Sequence, residues 1–321
     1  MKKDPYQESP IICIGGANVD RKFYLKSNMV SETSNPVQSS SSAGGVARNI
    51  AENLGRLGEH VKLITASGYD AAWQEIANGS YSFMDLSAAA QFEEQATGSY
   101  TAVLDKNGDL AIAFADMEVF DAITPDLLQE KQATLKTAKC IVVDLNCSQD
   151  TIDFLCRFAV KEQIPLAIIP VSAPKMANLP AALDAVNWLI INKDETETFM
   201  NMMIQNHKDW EHAVQNWLDC GIQNVVITNG AEGAMAGNEH DGVCYYPSID
   251  TPVITDVTGA GDSFCSAVIH AWLQDQSLDT NIQSGMVNAH KTIMSNQTVR
   301  TDLSSAQLAA DVKRAINAPN H

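Results

Sequence analysis

The sequence predicts an α/β fold: a central, mostly parallel sheet flanked by helices, with a small β-sheet unit set apart from it. Three observations carry that expectation. Apolar, β-rich runs without polar alternation recur along the chain, as strands covered on both faces require. Helical patterns sit between successive runs, which is the order of βαβ units. One pair of runs flanks Asn107-Gly108, a strong hairpin signal, and so stands outside the parallel pattern.

Taken in order, Ile11-Ile12-Cys13-Ile14 reads as a buried strand that ends in Gly15-Gly16. A helix over 46–57 leads to a second strand over 61–65. Strands follow at 141–144, 166–169, 188–191 and 225–228, with helices over 151–163 and 208–220 between them. A last apolar helical stretch runs from Asp262 to Trp272. Two segments break the rhythm. Residues 23–38 are followed by a serine run, 39–42, which reads as a mobile loop. The second is the hairpin, with arms 99–104 and 110–114. The chain is expected to be one domain, 1–321, in which segments of about 21–42 and 97–117 form a β lid over the carboxyl ends of the main strands.

Composition narrows the partners. With 321 residues, 45% hydrophobic and 19% charged, the chain is globular and long enough to bury a core without staples. Asp and Glu total 39 against 21 Lys and Arg, a formal charge of −18. Such a surface repels phosphate backbones and anionic lipid, which argues against nucleic acid or a membrane as partner. The apolar run 164–171 is interrupted by Pro170 and falls far short of the roughly 20 residues a membrane span needs. Residues 1–10 contain no apolar leader core, so a cytoplasmic location is expected. The seven cysteines are odd in number and have no Cys-x-x-Cys spacing, which fits reduced thiols; the seven histidines lack zinc-site spacing.

Five stretches could carry chemistry. In Asp256-Val257-Thr258-Gly259-Ala260-Gly261-Asp262, three small residues precede an Asp that opens a helix. Amides of Gly259, Ala260 and Gly261 can converge on one point, where a helix N-terminus adds its positive end. That is an anion hole suited to phosphoryl oxygens. Asp262 beside it could accept a proton from an attacking hydroxyl, or could simply cap the helix. In Ala43-Gly44-Gly45-Val46-Ala47-Arg48-Asn49, the glycine pair lets a ligand approach the backbone, and Asn49 lies one turn into the next helix. Asn18 and Asp20 alternate after the first strand, so both face one side; they could bind sugar hydroxyls or merely support a turn. In Asn192-Lys193-Asp194-Glu195, Glu195 could hold Mg²⁺ through water, or the run could be an acid-rich first helical turn. Glycines of Thr228-Asn229-Gly230-Ala231-Glu232-Gly233 could admit a nucleotide. No Gly-x4-Gly-Lys-Ser/Thr occurs, which excludes a Walker-type NTPase, and no Gly-x-Gly-x-x-Gly follows a strand.

Together, in this order and spacing, the motifs resemble the ribokinase/PfkB family of carbohydrate and nucleoside kinases, from Ile11 to about Leu303. The resemblance implies a ribokinase-like fold and ATP-dependent phosphorylation of a small sugar or nucleoside hydroxyl. It implies Asp262 as catalytic base, with Gly259, Ala260 and Gly261 stabilising the transferred phosphoryl. It places Asn18, Asp20, Gly44, Gly45 and Asn49 on the sugar, Asn192, Thr228, Gly230 and Gly233 on ATP, and Glu195 on Mg²⁺. Members often carry a β lid used to form a homodimer. The wording of 44–54 and 170–175, and of Thr97-Gly98-Ser99-Tyr100 with Asp116-Met117, is similar to members acting on pseudouridine; a ribokinase-like or other sugar or nucleoside kinase of the family is the alternative. A reading from another class is a sugar-binding protein of this fold without catalysis. Arg48 stands where ribokinase-like members have a small residue, and its simplest reading is a helix-surface ion pair. Ile169 stands before Pro170 where many relatives carry Asp.

Overall fold

The first strand, β1 (Ile11–Ile14), is buried at every residue and splits its side chains between two cores: Ile12 and Ile14 face one, Ile11 and Cys13 the other. Period-two alternation across a strand apolar on both sides demands cover on both faces. The computed structural model, which describes residues 9–251 and 253–317, supplies that cover. Residues 1–8, on which most of the leader expectation rests, lie outside the described residues.

After β1 the chain leaves the main sheet as β2 (Asn18–Leu25) and β3 (Val37–Gly44), then returns through α1 (Val46–Arg56) to β4 (Val61–Ile64). A short parallel ribbon pairs β5 (Ala66–Gly68) with β6 (Ala90–Phe92) around α2 (Ala71–Ser80), and β7 (Ser99–Leu104) with β8 (Leu110–Asp116) forms the hairpin. Helices α3 (Pro125–Glu130) and α4 (Gln132–Leu135) lead to β9 (Cys140–Asp144). From there strands and helices alternate: α5 (Gln149–Glu162), β10 (Leu166–Ile169), β11 (Trp188–Asn192), α6 (Lys193–Met200), α7 (His207–Asp219) and β12 (Asn224–Thr228). An antiparallel pair, β13 (Ala234–Asn238) and β14 (Gly242–Tyr246), then precedes α8 (Ala260–Trp272), α9 (Leu278–Ile293) and α10 (Ser305–Asn317).

The main sheet runs in the order β14-β13-β12-β11-β10-β9-β1-β4. From β12 to β4 all neighbours are parallel, so their carboxyl ends share one edge, where ligands of open α/β sheets bind. This is the mostly parallel α/β arrangement that the strand and helix rhythm predicts. The β13–β14 extension has no counterpart in the sequence reading. Small and polar residues such as Gly237 and Asn238 hide its strand pattern.

The second sheet has the order β3-β2-β7-β8, with β2 parallel to β7 and antiparallel to β3. Here the sequence reading needs correction. The serine run is strand, not mobile loop: Ser39 pairs with Phe23 and Ser42 with Asp20 along an unbroken ladder. Serines give no apolar signal, and the pairing partner lies far along the chain, so the ladder and not residue type decides.

A buried carboxylate closes the working edge. Asp144 ends β9, is 1% exposed, and accepts three backbone hydrogen bonds at 2.9 Å. The donors are Gly16 from the β1–β2 loop, Ala47 from the first turn of α1, and Asn146. Its carboxylate therefore joins segments that leave the sheet at different strands. Asp144→Asn presents an amide where Oδ2 or Oδ1 accepted, leaving at least one buried N–H unpaired. Unfolding measurements on this variant should show a loss of about 1–3 kcal/mol; an unchanged melting temperature would contradict the anchoring role.

Candidate active site

Residues expected to gather a sugar do converge at this edge. Asn18 donates its side-chain amide to Asp20 Oδ1 at 2.7 Å, both on β2. In register, Gly44 sits opposite Asn18, and a side chain at Gly44 would collide with the Asp20 carboxylate. Gly45 holds φ near 100°, and a Cβ there would strike the Gly16 carbonyl, so only glycine lets β3 turn into α1 this close to β1. Burial pushes the Asp20 carboxyl above its usual range, although the Asn18 amide opposes this. One turn into α1, Asn49 donates its amide to Asp262 Oδ2 at 2.8 Å. That bond brings the second and first motifs, 213 residues apart, into one cleft.

Asp262 lies in the first turn of α8, whose N-cap is Gly259 at φ 80°. A side chain on Gly259 would run into the Thr298 carbonyl. The three expected donors are not equivalent. The Ala260 amide is turned back onto the Val257 carbonyl at 3.2 Å. The amides of Gly259, Gly261 and Asp262 donate no hydrogen bond among the described residues. Burial drives the Asp262 carboxyl from 3.8 up to about 7; the Asn49 amide opposes this, while the charges of Asp144 and Asp20 add to it. A polar ladder fixes the helices around it. Asn53 donates to the Asn49 carbonyl, and Asn288 of α9 donates to both Asn53 and the Ser263 carbonyl.

On the far side of the α8 N-terminus lies a cavity of about 480 Å³. Thr228, Gly230 and Gly233 form one wall, Ala260 and Gly261 another, and Met286 and His290 contribute from α9. The Asn192–Glu195 pair is a reciprocal capping box for α6: Glu195 N donates to Asn192 Oδ1 at 2.8 Å, and Asn192 N to Glu195 Oε2 at 2.9 Å. Glu195 is 3% exposed, so it is not part of a solvated acid-rich turn, and burial raises its carboxyl. Its Oε1 takes no hydrogen bond among the described residues.

Three features escaped the sequence reading. Asp144 read only as the end of a strand, although a carboxylate closing an apolar run was a usable signal. Lys22 of β2 reaches across to Asp256, just before α8, at 2.6 Å. Arg48, expected on a helix surface, is instead 4% exposed. The reason is tertiary: Ser80 of α2 and the Ala43 carbonyl of β3 cover it.

The Asp262 carboxylate, with one oxygen open, thus stands beside free amides, between the Asn18–Asp20–Asn49 cluster and the cavity, an arrangement that could serve phosphoryl transfer. Residues 9–303 match the model of the pfkB family of carbohydrate kinases, and the chain belongs to that family. It is 28% identical over 308 residues to the pseudouridine kinase of Escherichia coli (strain K12), covering 95% of this chain and 97% of that one. A carbohydrate kinase from Agrobacterium tumefaciens superposes with a TM-score of 0.83 at 28% identity, covering 95% and 97% of the two chains. Arabidopsis thaliana ribokinase complexed with ribose and ATP superposes with a TM-score of 0.84 at 16% identity, covering 96% and 99%. The protein is a sugar or nucleoside kinase. No helix among the described residues is long and apolar enough to cross a membrane.

Asp262→Asn keeps the size and the contact with Asn49 but cannot take a proton. It should fold and lose at least about a hundredfold in kcat, the scale of general-base catalysis. In the parent enzyme kcat should rise with pH through about 7 as Asp262 ionises. Linkage gives stability the opposite sign. A raised acid favours folding below its unfolded value of 3.8, and that contribution is lost as pH climbs through about 7. The variant should therefore melt at or above the parent temperature at pH 8; near-parent turnover would reject the assignment.

Proposed function

We propose that the protein is an ATP-dependent nucleoside kinase that converts pseudouridine to pseudouridine 5′-phosphate. One observation carries the transfer step: Asp262 stands between the sugar-side cluster and the cavity, with its own amide and that of Gly261 open. The nucleoside assignment is supported by the near full-length similarity to a protein named pseudouridine kinase.

In this reading Asn18, Asp20, Gly44, Gly45 and Asn49 seat the ribosyl group, while Thr228, Gly230 and Gly233 seat ATP and Asn192 fixes the neighbouring helix start. Asp262 Oδ1 takes the proton of the 5′-hydroxyl as that oxygen bonds to the γ-phosphorus. The bond from this phosphorus to its bridging oxygen breaks, and ADP leaves with the electron pair. Amides of Gly259, Gly261 and Asp262 stabilise charge on the moving group, with Ala260 as the small spacer that keeps the turn tight. The buried Glu195, with one oxygen spent on its cap and Oε1 unpaired, fits a water-mediated contact to Mg²⁺. Bound there, the ion neutralises phosphate charge.

The smaller sheet is the lid in this reading. Its β2 carries both Asp20 and Lys22, so the strand that seats the sugar is also tied to the segment before α8 by the Lys22–Asp256 bridge. Assembly of the site only around an acceptor should leave ATP hydrolysis slow in its absence. The direct test is ADP release with pseudouridine, uridine, ribose or fructose as acceptor. Pseudouridine should give the highest kcat/KM; a preference for ribose would move the assignment to a ribokinase-like enzyme.

The outer lid face supports a homodimer. Ile112 and Phe114 are 44% and 58% exposed, and in register Val103 and Phe23 extend the same face. Replacing Ile112 and Phe114 with Glu should turn a dimer into a monomer in sedimentation; a monomeric parent protein would end the idea.

A further inference from the structure

Arg48 is buried in α1 with nothing to bind outside the fold, and every contact of its guanidinium is assigned. Its Nη2 meets Glu52 Oε2 at 2.5 Å. Its Nε donates to Ser80 Oγ at 3.3 Å, and that hydroxyl has spent its own proton on the Ile76 carbonyl at 2.7 Å. Its Nη1 lies 3.1 Å from Asn49 Oδ1 and 3.5 Å from the Ala43 carbonyl.

The Asn49 contact has a chemical consequence. A carboxamide has a donor end and an acceptor end of nearly equal size, and rotating it by half a turn exchanges them. Only the donor end suits Asp262 once that carboxyl is ionised. Arg48 can only donate, so it forces Oδ1 toward itself and leaves Nδ2 for Asp262 Oδ2. Glu52 neutralises the buried guanidinium and is itself held by Arg56 at 2.7 Å. A line of contacts on one face of α1, Arg56–Glu52–Arg48–Asn49, thus ends on the base.

We propose that Arg48 is a positioning residue for phosphoryl transfer: it fixes the orientation of the Asn49 amide and through it the Asp262 carboxylate. The proposal rests on the assignment of Asp262 as the base but not on which acceptor is phosphorylated. It also gives the residue at this position a task that a small side chain cannot perform. Besides Asn49, the groups acting on Asp262 are the carboxylates of Asp20 and Asp144 and the Arg48 charge. Arg48 itself faces Glu52, Arg56 and Asp20.

The test is a double-mutant cycle on the full chain with Arg48→Lys and Asn49→Ala, read in two ways. An ammonium keeps the charge beside Glu52 but cannot reach Glu52 and Asn49 together. The first readout is the ¹³C NMR titration of the Asp262 carboxyl, which needs no substrate. Arg48→Lys should raise its midpoint, because the amide no longer favours the ionised form, and should add nothing further in Asn49→Ala. The second is turnover of pseudouridine with ATP and Mg²⁺. Arg48→Lys should lower kcat about tenfold, a fraction of what a general base supplies, with KM for ATP unchanged and the acid limb moved to higher pH. If Arg48→Lys shows no cooperative melting, Arg48→Met/Glu52→Leu takes its place, and its shift is compared with and without Asn49, so that the direct loss of the Arg48 charge, common to both backgrounds, cancels. An unshifted Asp262 midpoint, or equal effects of Arg48→Lys with and without Asn49, overturns the proposal. A parent protein that couples Arg48 to Asp262 but transfers no phosphate to pseudouridine overturns the acceptor assignment and leaves the coupling intact.

Discussion

The working edge depends on one buried anion. Asp144 is shielded from water at the end of a central strand, where an ionised carboxylate is expensive unless charge-assisted hydrogen bonds offset its desolvation. Three amides do so, and two of them belong to segments that carry site residues: Gly16 before Asn18 and Asp20, Ala47 before Asn49. Burial raises the Asp144 carboxyl while these amides oppose the shift. One side chain thus holds the segments that carry Asn18, Asp20 and Asn49 in register. Its charge also adds to the rise of Asp262, so this anchor and the proposed base are electrostatically coupled.

The second constraint is close approach of backbone to backbone. At Gly45 and Gly259 two helices start from positive-φ residues pressed against the Gly16 and Thr298 carbonyls. These starts set α1 and α8 near enough for Asn49 to touch Asp262. Behind the contact, Asn53, Asn288, Ser263 and Thr292 pair with one another in place of apolar packing. A hydrogen-bonded interface has directional geometry that an apolar one lacks, and it fixes rotation as well as distance between helices.

What could be read from the sequence follows a physical divide. Parallel strands such as 141–144 and 225–228 announced themselves because a doubly covered strand must be apolar at every position. The glycine-rich helix starts announced themselves because few residues tolerate their backbone angles. Lost were features whose meaning is non-local. The serines of β3 are strand only because β2 lies beside them. Arg48 and Glu52, four apart, look like a solvated surface pair until α2 and β3 close over them. Asn192 and Glu195 were visible as a motif, yet their reciprocal cap shows that a pattern tied to ligands can first serve its own helix. The unpaired Glu195 Oε1 leaves room for both uses.

An acidic chain must still attract a polyanion and activate a hydroxyl beside it, and the distribution of donors within the cleft resolves that conflict. With a formal charge of −18, long-range steering opposes ATP, so attraction has to come from short-range dipoles at the α8 N-terminus. Three carboxylates crowd the same region, and like charges so close raise the proton affinity of at least one. Asp144 has committed both oxygens to amides, and Asp20 shares one with the Asn18 amide. Asp262 receives a single donor on Oδ2, and its Oδ1 takes none among the described residues. It alone combines an open oxygen, a raised proton affinity and adjacent free amides. The acidity that repels a nucleotide at long range therefore raises the Asp262 carboxyl, the proposed base, at short range, and the free amides of the helix start are the compensation within reach.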